Sequence, residues 1–310
     1  MNSDRKICLK NIRRDKHLMV MILPVVVYFV VFAYLPMYGL IIAFKDYSPG
    51  RGIWGSPWAG LVHFEQFFRG FFFKRLFRNT LLISTYGIIF GFPIPILFAL
   101  ILNEFKDGLF KRTIQTISYL PHFISLVVIC GMIVNFLSPQ NGIVNIVLEK
   151  LIGRRISFLA EAKWFRTIYI ASGVWQEFGW NSIIYIAALS GIDPNLYEAA
   201  KIDGAGRLRQ IWHVSLPGIK ATAVTLFIIS VGNMMGVGFE KIILLYSPTT
   251  YETADVISTY VYRVGLAGVS GTSPQYSFSA AVGFFNSFIN MILLLSCNWI
   301  CKKVTDHGIW

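Results

Sequence analysis

The chain has 310 residues, 55% hydrophobic and 14% charged, with 28 Lys and Arg against 16 Asp and Glu for a formal net charge of +12. A mean hydropathy of +0.58, with charge confined to short segments between long apolar runs, excludes an ordinary soluble core and indicates a polytopic membrane protein. Basic tails beside apolar runs are what membrane topology and anionic lipid headgroups require, so the positive balance does not point to nucleic acid.

A segment crossing roughly 30 Å of hydrocarbon needs about 20 apolar residues. Six runs qualify, near 18–44, 79–102, 116–138, 167–190, 220–246 and 279–301. The tail before them, 1–17, holds Arg5, Lys6, Lys10, Arg13, Arg14 and Lys16. The first run is too long for a signal-peptide core, lacks a small-residue cleavage site and is read as a retained span. The connection 45–78 is rich in Gly, Pro and Trp and carries Phe64, Phe67, Phe68, Phe71, Phe72 and Phe73, a cluster suited to an interfacial segment at headgroup depth. After the second span come Lys106, Lys111 and Arg112; the third is interrupted by Pro121 and His122. The turn Ser138-Pro139-Gln140-Asn141-Gly142 then leads into a helical face of Ile143, Ile146, Val147, Leu151 and Ile152 on the outer surface.

The fourth span carries Trp175, Gln176, Glu177, Trp180, Asn181 and Tyr185. It is followed by a polar loop, 191–219, in which Asp193 can cap a helix whose first residue is Pro194 and Gly204 can end it in a left-handed conformation. That helix is about nine residues long and too short to persist without packing against something. Leu216-Pro217 is expected to close the segment, since the residue before proline is pushed out of the helical region. The fifth span holds Asn233, Met234, Met235, Glu240 and Lys241, with Gly232, Gly236 and Gly238 inviting a local break. Glu240 and Lys241 read as lying near the outer interface, with Lys241 reaching to water. The connection 247–278 shows no periodic apolar face and reads as a loop. The sixth span carries Asn286 and Asn290 on one face, and Cys297 and Cys301, one turn apart, read as packing residues. A short tail, 302–310, follows with Lys302 and Lys303.

Six spans place both ends on one side. The basic tails, the second-to-third connection, and Lys201, Arg207, Arg209 and Lys220 around the fourth-to-fifth loop assign that side to the cytoplasm, against a smaller bias from Arg69, Lys74, Arg75, Arg78, Arg154 and Arg155 outside. The expected fold is therefore all-α, a transmembrane domain over 18–301 with six transmembrane helices and a short cytoplasmic helix between the fourth and fifth.

The stretch Glu198-Ala199-Ala200, three residues, Gly204, nine residues, then Val214-Ser215-Leu216-Pro217 resembles the EAA loop of ABC importer permeases. The resemblance covers nearly the whole chain: Phe32-Ala33-Tyr34-Leu35-Pro36-Met37-Tyr38-Gly39 with Ala43-Phe44-Lys45-Asp46-Tyr47, Tyr119 through Ser125, Trp175 through Asn181, and Gly308-Ile309-Trp310 are similar to the branch that imports oligosaccharides released from complex polysaccharides. The resemblance implies a multi-pass subunit of the bacterial cytoplasmic membrane. Its implied partners are a second, homologous permease, two ATP-binding subunits on the cytoplasmic face that hold ATP and Mg, and an extracellular or periplasmic solute-binding protein that delivers the sugar. It assigns coupling to the ATPase to Glu198, Ala199, Ala200, Asp203 and Gly204, with Leu216 and Pro217 completing the motif. The chain contains no Gly-x-x-x-x-Gly-Lys-Ser/Thr phosphate loop, so ATP energy must come from such a partner.

Polar groups inside a membrane are costly unless they line a water-filled cavity or pair with one another. Trp175, Gln176, Glu177, Asn181, Tyr185, Asn233, Glu240, Asn286 and Asn290 are therefore the candidate substrate pathway, amides and carboxylates for hydroxyls and rings for the apolar face of a sugar. The same residues could instead serve helix packing. In maltose-type relatives the fifth span carries an adjacent asparagine pair, where this chain has Asn233 alone. Two other classes fit the sequence less well. An ion-gradient-driven transporter would use Glu177 or Glu240 as relays but has no need of a polar EAA helix; a membrane enzyme finds no catalytic spacing and no metal-ligand histidine pair.

Overall fold

The computed structural model describes residues 16–265 and 274–309. The basic residues Arg5 to Arg14, Cys8, the centre of the last outer connection and Trp310 lie outside the described residues. What is described is helical, joined by turns, with one isolated antiparallel bridge between Lys45 and Trp58.

Three helices are long and apolar enough to cross a membrane: α1 (Lys16–Phe44), α3 (Phe73–Asn103) and α13 (Tyr276–Thr305); α2 (Val62–Arg69) precedes the second of them. Two further crossings are available as bent pairs. α4 (Leu109–Phe123) and α5 (Leu126–Phe136) meet at 97°, and α9 (Arg207–Gly218) and α10 (Lys220–Gly232) at 62°. By length and composition the described residues thus supply up to five crossings. The fourth predicted span is α7 (Ala162–Ser190), 29 residues or about 43 Å; it is long enough, and its polar residues keep it out of the apolar set.

The structure corrects several sequence expectations. The run 116–138 is not one straight rod. Ser125 is extended and its Oγ accepts from the Val128 amide, so it caps a new helix and the chain turns sharply. The fifth span breaks as its glycines suggest: α10 stops at Gly232 and helix resumes in α11 (Phe239–Leu245). The phenylalanine cluster is only partly interfacial, because Phe67 is buried against Phe73, Phe278 and Phe285 while Phe71 is 91% exposed. The last outer connection is not all loop. It forms α12 (Ile257–Gly265) ahead of the undescribed residues, with Ile257 and Val264 buried. Hydropathy misses it because its start is set by a polar centre: the fully buried Asp255 carboxylate pairs with Arg75 at 3.2 Å and Arg263 at 2.8 Å, and Asn79 donates to the carbonyls of Glu252 and Asp255. The helix α6 (Ile143–Ile152) forms along the apolar face read from the sequence, and buried Asn145 pins it to the carbonyls of Leu137, Ser138 and Ile156.

Apolar packing runs the length of the bundle in three clusters. Phe67, Leu76, Met235 and Phe278 form one, Ile83, Cys130, Phe165 and Ile242 the next, and Ala99, Leu100, Tyr185, Leu189 and Ile219 the third. The last lies where α7, α3 and the start of α10 converge, directly behind the polar loop. The first turns of α1, by contrast, bury nothing within this chain.

Candidate substrate pathway and coupling helix

The break in the fifth span is held by side chains from α13. The Met235 amide donates to Asn290 Oδ1 at 2.8 Å, and Asn286 Nδ2 donates to the Met235 carbonyl at 3.0 Å. Being four residues apart, the two asparagines face the same way and bind both backbone polar groups of one residue, Met235. Ser84 of α3 donates to the neighbouring Met234 carbonyl. An irregular stretch at membrane depth needs such partners for its freed backbone groups. Asn286 and Asn290, placed on one face by their spacing, both bond the backbone of the break.

Around that break lie cavities that share walls. One of about 420 Å³ is lined by Gly87, Gly91, Tyr169, Glu177, Asn181, Tyr185 and Ser230, among others. One of about 400 Å³ is lined by Leu126, Tyr169, Gly173, Gln176, Glu177, Phe239, Glu240 and Lys241. A smaller one, about 200 Å³, reaches Asn233, Met234 and Gly236. Tyr169 lines all three, and Glu177 the two larger ones. Six of the nine predicted pathway residues, Gln176, Glu177, Asn181, Tyr185, Asn233 and Glu240, line these three cavities; Trp175 lines a fourth, mainly apolar cavity of about 830 Å³ with Tyr86, Phe90 and Phe178.

Three pathway features were not legible. His122 Nδ1 donates to Glu177 Oε2 at 3.0 Å, and its ring stacks on Trp180 with centroids 4.4 Å apart; the partners are 55 residues apart in sequence, so no local spacing announces them. Tyr169, on the common wall, sits in an unremarked part of α7. Lys241 does not reach water: it is 7% exposed and donates to the Tyr169 carbonyl at 3.3 Å, because α11 turns its side chain inward against α7. Glu240 next to it is exposed.

The polar loop folds as its caps dictate. α8 (Pro194–Ile202) is nine residues long, starts with proline and is preceded by Asp193, whose Oδ1 accepts from the Asn195 amide at 2.9 Å. Gly204 has φ +75°, a left-handed conformation that a side chain would strain, and the Ala205 amide returns to the Ala200 carbonyl. No residue of α8 is buried: Glu198, Ala199, Asp203 and Gly204 face open space, and Ile202 is 87% exposed. Within the chain α8 is tied to α9 by Tyr197 Oη and Ser215 Oγ, 2.9 Å apart. Leu216-Pro217 does not end the helix as predicted. Five residues, Ile211–Ser215, adopt a wider π turn in which the Leu216 amide reaches the Ile211 carbonyl, making room for the proline ring, and α9 continues to Gly218. Val30–Tyr34 ahead of Leu35-Pro36 does the same in α1.

A kinked, lipid-length helical bundle with cavities at a broken span and a short, unburied helix between its fourth and fifth long segments is matched by known proteins. The sequence profile of the binding-protein-dependent transport system inner membrane component matches residues 91–306. The chain belongs to that family. It is an ABC importer permease. It is 44% identical over 306 residues to the polygalacturonan/rhamnogalacturonan transport system permease protein YteP of Bacillus subtilis (strain 168), covering 99% of this chain and 94% of that protein. To protein LplB of the same organism it is 41% identical over 299 residues, covering 96% and 92%. A crystal structure of a bacterial ABC transporter involved in the import of the acidic polysaccharide alginate contains a chain that superposes with a TM-score of 0.87 at 45% identity, over 96% of this chain and 99% of that one. A related structure, in complex with an alginate pentasaccharide-bound periplasmic protein, gives 0.87 at 44% identity over 97% and 99%.

Proposed function

We propose that this chain is the membrane-spanning subunit through which an ATP-driven importer passes oligosaccharides cut from a complex polysaccharide. The sugar is handed over by a solute-binding protein on the outer face and moves through the cavities bordered by Gln176, Glu177, Asn181, Tyr185, Asn233 and Glu240. In this reading the bundle has six spans with both ends in the cytoplasm, the bent pairs and α7 each counting as one, beside a second, homologous permease. ATP and Mg are handled by two separate ATP-binding subunits.

The observation that carries the reading is α8. A nine-residue helix capped at both ends yet buried nowhere in its own chain is too short to be kept for itself. Its exposed Glu198, Ala199 and Ile202 offer a small surface for a partner, the ATP-binding subunit, and the bond from Tyr197 to Ser215 passes a push on α8 into α9 and so to the broken fifth span. Closure of the ATP-binding pair then tilts the spans around the sugar.

The test is uptake of labelled oligosaccharide into proteoliposomes of the assembled complex. Uptake is expected with ATP and binding protein present, and none with an imposed proton or sodium gradient alone. Gradient-driven uptake without ATP would assign the chain to the secondary transporters instead.

A further inference from the structure

Among the described residues Lys241 is the only buried lysine or arginine. No ion pair joins it to a described carboxylate. Its ammonium has three protons to donate; one goes to the Tyr169 carbonyl at 3.3 Å, and the Tyr169 ring lies 5.1 Å away. Gly173 leaves room beside it, since a β-carbon there would stand 3.4 Å from Nζ. Both partners are neutral, and a buried charge held only by neutral groups is costly to keep. A buried ionisable group with no ion pair that borders a cavity is a candidate functional group.

The surroundings specify the missing partner. Lys241 borders the cavity of about 400 Å³, a size in the range of small-molecule sites. Two carboxylates share that cavity. Glu177 is engaged by His122 at 3.0 Å, and Glu240 is exposed. Tyr169 and Phe239 supply rings against which the apolar face of a pyranose can lie, and Gln176 supplies an amide for hydroxyls. Glu177 attracts the ammonium through space but makes no ion pair with it, being bonded to His122, so the cavity offers what a sugar needs together with a cation that no described carboxylate contacts directly.

We propose that Lys241 determines specificity, its ammonium binding the carboxylate of an acidic oligosaccharide, a uronate, as the sugar passes the break in the fifth span. This rests on the importer reading above and adds the substrate class to it. A neutral sugar would leave the ammonium desolvated and unpaired, so the pathway selects for charge as well as for shape.

The test uses the purified complex without the binding protein, so that any preference belongs to the membrane subunits. Equilibrium binding is measured for trimers of galacturonate and of guluronate, each against its carboxyl-reduced, neutral form. The wild type is expected to bind at least one uronate about tenfold or more tighter than its neutral form, Lys241→Gln to bring the two within about twofold, and Lys241→Arg to restore most of the preference. A preference that survives in Lys241→Gln, or a wild type with none, overturns the proposal. Equal loss of acidic and neutral binding in Lys241→Gln and Lys241→Met also overturns it, since that is the mark of a packing role. The importer reading is judged separately by uptake: a wild-type complex that imports neutral sugars with ATP keeps that reading while the role of Lys241 falls, and one that imports no sugar loses both.

Discussion

Met235 is held by two asparagines, and removing either leaves a backbone group of the break without a partner. In Asn290→Ala the Met235 amide is orphaned in a position where Met235 itself is fully buried. The expected cost is about 1–3 kcal/mol, seen as a lower midpoint of thermal unfolding for the solubilised complex. Asp255 is the larger hazard at this scale. Asp255→Asn removes a carboxylate that compensates both Arg75 and Arg263; the loss should be on the order of 3 kcal/mol, read in the same assay, and it should be smaller when Arg75→Gln is combined with it, since the charges then fall together. An unchanged midpoint in Asp255→Asn would show that the polar centre does not hold the outer connection. Neither device was legible in the sequence. Asn286 and Asn290 could be placed on one face by their spacing, but what they grip depends on where a break 51 to 55 residues earlier comes to rest.

The caps of α8 were read correctly, and the bend and the π turn inside the longer runs were not. Asp193, Pro194 and Gly204 act within one turn of the residues they cap, so α8 could be drawn from the sequence with its length right. The bend at Ser125 and the continuation of α9 through Pro217 could not, because hydropathy averages over a corner and a π turn has no composition of its own. Two predictions belong here. Gly204→Val forces a β-branched residue into a left-handed conformation, at roughly 1–2 kcal/mol or more, with nothing nearby in this chain to clash with; the complex should assemble and hydrolyse ATP while uptake falls about tenfold or further. Normal uptake by that variant would remove Gly204 from the coupling element. Gly179 faces the backbone of Ser118 so closely that a β-carbon would overlap its carbonyl. Gly179→Ala should therefore push α4 from α7, cost about 1–3 kcal/mol, and disturb the nearby contact of His122 with Glu177, measured as reduced yield of assembled complex.

At the scale of the whole molecule, a run of contacts leads from the polar loop to the cavities. α8 is bonded to α9, α9 meets α10 at a corner packed on Ile219 and Leu216, and α10 ends at Gly232, three residues before Met235, which Asn286 and Asn290 hold. The apolar pattern made the bundle legible, and the polar interruptions in the fourth and fifth spans marked six residues that lie on cavity walls. The pairing of His122 with Glu177 and the inward turn of Lys241 were hidden because they exist only once separate spans pack. The central claim is that α8 faces the cytoplasm and receives the motion of an ATP-binding subunit. Its most direct test is a single cysteine at Ile202, exposed in this chain, in a background whose native cysteines are replaced. In the assembled complex, oxidation with copper phenanthroline should join it by a disulfide to a cysteine introduced on the facing surface of the ATP-binding subunit and stop uptake, and reduction should restore it. Labelling of that cysteine by a membrane-impermeant reagent from the outer face, with no cross-link to any partner, would contradict the account.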